Sequence, residues 1–520
     1  MNGINLMPLP HTRFGIAIMA SLLAGCTVGP SFHAPATSAP ADWTSWRSGD
    51  AGLHRAPGPI AQDRTTQDRT TQDRTTQDRA AQDRAAQDAP WWHAFGDPVL
   101  DELERRAMAA SPDLQTAALH FAQSRVARRQ SAAQGLPQVN ASAGIERQQV
   151  SQYGPSTRLL DAVAGNNRDA LAKILGEPYT LYQGGFDASW EIDLWGKVRR
   201  SLEAADAQIA EQAALLDAAR LSVACDVALS YSDYRAADRR IRLLREDIAA
   251  ARDRLALITA RKDGGLGDAS LVERQRADLG AAEAQLPALL AQQAGAESRI
   301  ALLLGQRPGT LGDVLQGSTT DRALTLPDLT LGLPSAVALG RPDVRAALDR
   351  LHAATAQIGV AKADLYPSIR LGASLDLQSY QQSHLFDWAS HDLSFGPTID
   401  LPLFDGARRK AVVHLRELEQ KEAAVAYEQT VLKAWAEIND ALNLYAATDQ
   451  QAATLRARRT AAQTGYDLIA ARVAGGIGTR IDAIDARRAQ IAASRDLIDS
   501  ESTLARQYIT VIKATGNGGS

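Results

Sequence analysis

The residue with the clearest chemistry is Cys26. It follows Leu23-Ala24-Gly25, after an apolar run from Phe14 to Leu23 that Arg13 precedes. That run is too short to span a bilayer. A basic start, a short apolar stretch and small residues before the cut make residues 1–25 a secretory signal peptide. Cys26 then becomes the first mature residue, in a setting that fits a lipobox. The expected covalent lipid is an S-diacylglycerol on its thiol and an N-palmitoyl chain on its amine. Each buried methylene contributes about 0.8 kcal/mol, so several chains anchor stably. Residue 27 is Thr rather than Asp, which in signals of the lipobox kind implies the outer rather than the inner membrane as the expected destination.

Little other chemistry is available. Cys225 is the only other cysteine, so no disulfide forms within the lipidated chain. The nine histidines are scattered, His352 and His414 reading as solvated helix positions. No Cys/His set has metal-ligand spacing, and no nucleophile–base pair or phosphate loop appears. Neither an enzyme nor a cofactor beyond the lipid is expected. One acidic pair remains: Asp482 and Asp485 lie three apart and share a helix face. Arg480 precedes them, and Asp268 and Glu273 take similar places earlier in the chain.

These acids follow two nearly identical hinges. Residues 260–267 read Ala-Arg-Lys-Asp-Gly-Gly-Leu-Gly, and residues 471–478 read Ala-Arg-Val-Ala-Gly-Gly-Ile-Gly. Gly264, Gly265 and Gly267 in one, Gly475, Gly476 and Gly478 in the other, suit tight left-handed turns between helices. The first is therefore no nucleotide fingerprint, which would follow a strand. Long helical runs flank both hinges, so the chain carries an internal two-fold repeat. The first long helix is expected from Gly196 to Lys262. Ile241, Leu244, Ile248, Ala251, Leu255 and Ile258 form a 3,4 seam in it, and Leu202, Ile209, Leu216 and Val223 a heptad. The return helix keeps the seam through Leu279, Ala282, Leu286, Leu289, Ala296, Ile300 and Leu303, with Pro287 expected to bend or break it. The second copy runs from about Ala407 to Val473, with Trp435, Ile438, Leu442 and Tyr445 on its seam, then from Thr479 to about Ala514.

Ahead of each long helix the texture changes to a period of two. Strands are expected at about 138–147 and 181–194, and at about 368–378 and 392–402. Segments of ~10 residues with this period suit transmembrane β-strands. Four strands close no barrel alone, so the chain should oligomerise. The domain layout is therefore a lipidated tether at 26–89, a first repeat at 90–330 with hairpin 196–305, and a second at 331–520 with hairpin 407–514. The tether repeats Gln-Asp-Arg-Thr-Thr three times from Gln62 and Gln-Asp-Arg-Ala-Ala twice. It has too little apolar surface to offset ordering entropy. Aromatics are only 5% of the chain, which suits long helices packed through small residues, and a net charge of −4 leaves no basic footprint for nucleic acid.

The two halves also align at Pro112-Asp113 with Pro342-Asp343, and at Pro137 with Pro367. Ile192-Asp193-Leu194-Trp195-Gly196 corresponds to Ile399-Asp400-Leu401 with Phe404-Asp405-Gly406. Together with Pro90-Trp91-Trp92, Leu303-Leu304-Gly305, Arg341-Pro342-Asp343-Val344 and Ile358-Gly359-Val360-Ala361-Lys362-Ala363, these motifs resemble the TolC-like outer-membrane factors. The match is to their lipoprotein branch, the NodT/OprM type, over about residues 90–515. The resemblance implies a mainly α protein with a membrane β-barrel. Three subunits would pool four strands each into a twelve-stranded barrel in the outer membrane of a Gram-negative bacterium. Their helices would form a periplasmic α-barrel, girdled near residues 90–110, 306–340 and the C-terminal tail. The expected function is a passive export duct for drugs or other small amphipathic compounds, serving a periplasmic adaptor and an inner-membrane RND transporter. The exit duct of a type I protein-secretion system and a pore-less periplasmic coiled-coil scaffold stand as alternatives. By match to the family, Asp482 and Asp485 are gate candidates, each forming a ring of three carboxylates that Arg480 could bridge. As solvated acids at a helix start they would instead answer only the helix dipole. The hairpin tips would dock the adaptor. The repeat is no part of the family pattern. By its position in the resembled pattern, Ser151 to Pro178 is expected as a long extracellular loop that would cap or narrow the mouth, with a short helix expected at 168–175.

Overall fold

The computed structural model describes residues 27–35, 54–55, 90–316, 324–327, 329–331 and 334–516. The signal segment, Cys26 and the pentapeptide repeat lie outside the described residues. The chain divides into two compact units: one from Met1–His33, Ser124–Ile209 and Arg350–Ala423, the other from Ala34–Gln123, Ala210–Asp349 and Ala424–Ser520.

The first unit is built on a four-stranded antiparallel sheet in the order β1 (Gln138–Gln148), β2 (Tyr179–Glu191), β3 (Ser368–Ser379), β4 (His391–Asp400). The last strand of the first half thus pairs with the first strand of the second, as in Phe186 opposite Leu375. β2 stops at Glu191, short of the expected Leu194. The reason is local: the Asp193 carboxylate accepts from the backbone N–H groups of Val198 and Arg199 (3.1 and 3.0 Å). It satisfies donors at the start of the next helix and turns the chain there. β4 stops at Asp400 rather than 402, before Pro402, which has no N–H to offer a ladder.

Residues 27–33 are packed on this unit rather than forming free tether. Val28 N–H donates to the Trp195 carbonyl (3.2 Å), Arg200 donates to the carbonyls of Val28 and Gly29 (3.3 Å each), and Phe32 stacks on His352 at 4.3 Å. Gly29 (φ 107°) touches Gly359, where a Cβ would lie 2.5 Å from its Cα. His352, expected as solvated, is half-buried between Phe32 and Glu203 (3.1 Å). Further along, His54–Arg55 pairs in parallel with Thr330–Leu331 in the second unit.

Helices α1 (Pro98–Ala110) and α2 (Pro112–Ala133) lead to β1. Two short helices, α3 (Arg158–Val163) and α4 (Arg168–Leu175), stand between β1 and β2. Then come α5 (Lys197–Asp263), α6 (Ala269–Glu283), α7 (Leu286–Leu303), the short α8 (Gly312–Gln316) and α9 (Pro334–Gly340), and α10 (Pro342–Ala363), which leads to β3. The chain ends in α11 (Arg408–Ala474) and α12 (Arg480–Thr515). α5 and α11 have 67 residues each, about 100 Å at ~1.5 Å per residue. Pro287 breaks the first return helix into α6 and α7 and sits in the first turn of α7, where its missing N–H costs nothing.

In the second unit Asp97 caps α1 through the N–H groups of Val99 and Leu100 and binds Tyr231 Oη (2.9 Å) and Arg235. Around it Phe95, Leu100, Leu103, Val227, Ile300, Leu304, Ile438, Leu442 and Tyr508 make one core. The seam holds in a second cluster of Leu244, Ile248 and Ala282 with Leu279, Leu286 and Leu289. The heptad of Leu202, Ile209, Leu216 and Val223 does not: only Val223 is buried, while Ala204, Ala205, Ala207 and Ala214 are buried in that stretch. Small side chains there admit closer backbones than a leucine seam would.

Candidate functional site

The sheet has two unlike faces. Register places Val139, Phe186, Leu375, Leu393 and Phe395 on one of them, and that face is exposed: Phe395 is 88% accessible, Leu393 75% and Val139 66%. The other carries Glu146, Asp187, Glu191, Asp376, Asp392 and Asp400 against one base, Arg370, which pairs with Glu191 (3.1 Å). A contiguous exposed apolar face with a polar reverse is what a transmembrane strand set needs. β1 and β4, of 11 and 10 residues, each pair on one side only among the described residues. Pro397 sits in β4 opposite Leu371, a position an edge strand tolerates. Among the described residues no helix is long and apolar enough to cross a membrane.

The two hinges have the same geometry. Leu266 N–H reaches back to the Arg261 carbonyl (2.8 Å), and Ile477 N–H to the Arg472 carbonyl (2.9 Å). Gly265 (φ 74°) and Gly476 (φ 76°) take the left-handed place that closes each helix. A Cβ on Gly267 would meet Lys262 N at 3.0 Å, and one on Gly478 would meet Val473 Cγ2 at 3.0 Å. Between the glycines an aliphatic side chain projects on each tip: Leu266 is 76% exposed and Ile477 74%. The glycines set each turn, and the aliphatic residue they frame in both copies is what each tip presents.

The acids beyond the tips separate in role. Asp482 is the far half of a capping box: Thr479 N–H donates to its carboxylate (3.0 Å) while its own N–H donates to Thr479 Oγ1 (3.2 Å). The Thr479 hydroxyl holds its carboxyl below the usual range. Asp268 is itself the N-cap of α6, accepting from Ser270 N–H (3.1 Å), and Glu273 pairs with Arg276 (2.6 Å). Asp485 accepts from Arg254 Nε on α5 (2.6 Å). Arg480 makes no ion pair with Asp482 or Asp485 among the described residues.

Sequence reading missed a larger pattern of which Arg254–Asp485 is the last rung. Charges at Asp226, Asp233, Arg240, Asp247 and Arg254 recur every seven residues along α5. They meet Lys513 (3.2 Å), Arg506 (2.6 Å), Asp499, Arg488 (2.8 Å) and Asp485 (2.6 Å) on α12. Both signs occur along each helix and are complementary at every rung, fixing one antiparallel register. The signal was legible as charges at heptad spacing along α5, and at Asp499, Arg506 and Lys513 on α12 read in the opposite direction.

A two-faced strand set, helices of 67 residues and twin hairpin tips are the parts a membrane channel protein would carry. The family model for outer membrane efflux proteins matches residues 103–306 and 333–517, and the chain belongs to that family. It is the outer-membrane channel of a tripartite efflux system. It is 28% identical over 436 residues to the outer membrane protein OprJ of Pseudomonas aeruginosa, covering 82% of this chain and 86% of that one. It is 27% identical over 518 residues to the toluene efflux pump outer membrane protein TtgF of Pseudomonas putida, covering 98% and 97%. The solved outer-membrane channel OprN superposes with a TM-score of 0.76 at 26% identity, over 95% of this chain and 99% of that one.

Proposed function

We propose that the protein works as a lipid-anchored homotrimeric export duct for small amphipathic compounds, drugs among them, driven by an inner-membrane RND transporter through a periplasmic adaptor. The observation that carries this is the two-faced sheet with both edges open. β1 of one copy meets β4 of the next, three copies close twelve strands, the apolar face turns to lipid and the acidic face lines water. Leu418, Val425 and Leu432, seven apart and exposed on α11, supply an apolar stripe for the neighbouring copy to cover. Six tips then face the periplasm, each presenting Leu266 or Ile477 to the adaptor. Membership of a family of outer-membrane efflux channels supports a passive duct rather than an enzyme.

Gating follows from the rungs. Asp482 is occupied as a helix cap, so the closing contact is assigned to Asp485 with Arg254. Opening at the tips parts this last rung while those above it hold α5 and α12 in register. Lipid on Cys26 anchors the chain beside the packed segment 27–33. Purified protein in planar bilayers should give discrete cation-selective steps; no conductance would favour the pore-less scaffold. Radioactive palmitate should label the wild type and not Cys26→Ser, and a labelled mutant would remove Cys26 as the lipid site.

A further inference from the structure

The two repeats are unequally covered. Helices α2 and α10 both have 22 residues, both open Pro-Asp, and stand 230 residues apart. In the first unit α10 lies against the start of α5. Lys197 pairs with Asp364 (2.7 Å), Glu203 with His352 (3.1 Å), and a Cβ on Gly359 would meet Arg200 Cγ at 2.8 Å. Leu351, Ala356, Ile358 and Ala361 of α10 are buried in this stretch, as are Ala204 and Ala207 of α5. Their counterparts are bare. Residues 124–133 of α2 bury no side chain among the described residues, and Val126, in the place of Ala356, is 62% exposed. Leu415 and Leu418 of α11, 211 residues after Ala204 and Ala207, are exposed as well.

The same inequality holds where strands meet helices. Trp195 stacks on Tyr366 at 4.7 Å, and its indole N–H donates to the Pro367 carbonyl (2.7 Å). Ile192 N–H donates to the Ile369 carbonyl (3.0 Å). These contacts join the end of β2 in one repeat to the start of β3 in the other. Ile399 and Phe404 repeat the first half of the joint, while Leu136 and Pro137, 230 residues before Tyr366 and Pro367, repeat the second. Yet Phe404 is 92% exposed and Leu136 62%. They adjoin β4 and β1, which are opposite edges of the sheet. A joint made once within the chain is thus present a second time as two unjoined halves, which one copy holds apart and a second copy can bring together.

Resting on the trimeric duct above, we propose that each copy joins the next by repeating its own internal joint. Phe404 of one copy seats on Leu136 and Pro137 of the next, and Leu415 and Leu418 lie on its α2 around Val126. Carrying the Ile192–Ile369 pairing across sets the register. Ile399 stands opposite the next copy's Val139 and Asp400 opposite its Gln138, so all ten residues of β4 are paired. Like faces then run on. Leu393 lies beside Ile145 and Phe395 beside Ala143 on the apolar face, and Asp392 beside Glu146 on the acidic one. Asp376 already stands opposite Asp392, so the next copy's Glu146 completes a row of three acids across the junction. Phe404 has no N–H to match that of Trp195, so the joint between copies lacks the hydrogen bond of the joint within one.

Cysteine pairs in the full-length protein read the register. Residues directly opposite on antiparallel strands have Cα atoms about 4.5–5.5 Å apart, within the reach of a disulfide. Oxidised Val139→Cys with Ile399→Cys should run as a covalent species of three chains on a denaturing gel, and either single variant as one chain. Ala143→Cys with Ile399→Cys, four residues out of register, should stay at one chain. Crosslinking of the second pair in place of the first would overturn the register, as would neither pair crosslinking in protein that native mass shows to be trimeric. Phe404→Ala should lower the temperature at which trimers dissociate in detergent by several degrees while helix content by circular dichroism is unchanged; an unchanged dissociation temperature would remove Phe404 from the joint. A wild type that is not trimeric would overturn the duct reading and the joint with it.

Discussion

Glu104 is the residue least at ease in its surroundings. It sits on α1 within the main core with no exposed surface, and neither carboxylate oxygen has a hydrogen-bond partner among the described residues. Burial, reinforced by Asp101 one turn away, pushes its carboxyl well above the usual range. The sign follows. The folded state holds this proton more tightly than the unfolded chain does. Its contribution is therefore complete at acidic pH and is lost as pH rises from the ordinary carboxyl range through the folded one. The loss runs at up to about 1.4 kcal/mol per pH unit. Glu104→Gln should melt higher than wild type at pH 8 and vary little between pH 5 and 8. Parallel melting profiles for the two proteins would contradict this. Asp482 teaches the opposite lesson. Its position after the hinge suggested a gate, but the same position is where a helix needs a cap. Asp482→Ala should cost about 1 kcal/mol of local stability and leave single-channel conductance unchanged.

At the scale of elements, the strands and hairpins were legible because their periods are short and uninterrupted. The strand ends were not, since Asp193 ends β2 by binding N–H groups of the following helix, a contact no period of two records. The leucine heptad of early α5 misled for a related reason. In an alanine-rich helix the tightly packed face is the one with the smallest side chains, Ala204, Ala207 and Ala214 among them. The ion-pair ladder was present as heptad charges, but pairing needs a partner helix and a direction, which only the folded hairpins supply. Exposed pairs of this kind contribute about 0.2–1 kcal/mol each, so the ladder sets register more than stability. Its end rung is therefore easily parted. Asp485→Ala and Arg254→Ala should each raise single-channel conductance, and the double mutant should add little beyond either. Additive or absent effects would take the rung out of the gate.

At the scale of the whole molecule, function resides in faces rather than in a pocket. Six acids stand against one base on the polar face of the sheet, and in the proposed barrel they would make the bore negative. Asp376 stands directly opposite Asp392, so the charge is concentrated there. The reversal potential across a salt gradient should report cation preference, and Asp376→Asn with Asp392→Asn should reduce it; an anion-selective wild type would reverse the assignment of faces. Everything else in the account rests on three copies sharing their edge strands. Native mass spectrometry of the full-length protein released from detergent measures that directly. The account predicts one species of three chains. A monomer or dimer that still conducts would contradict it.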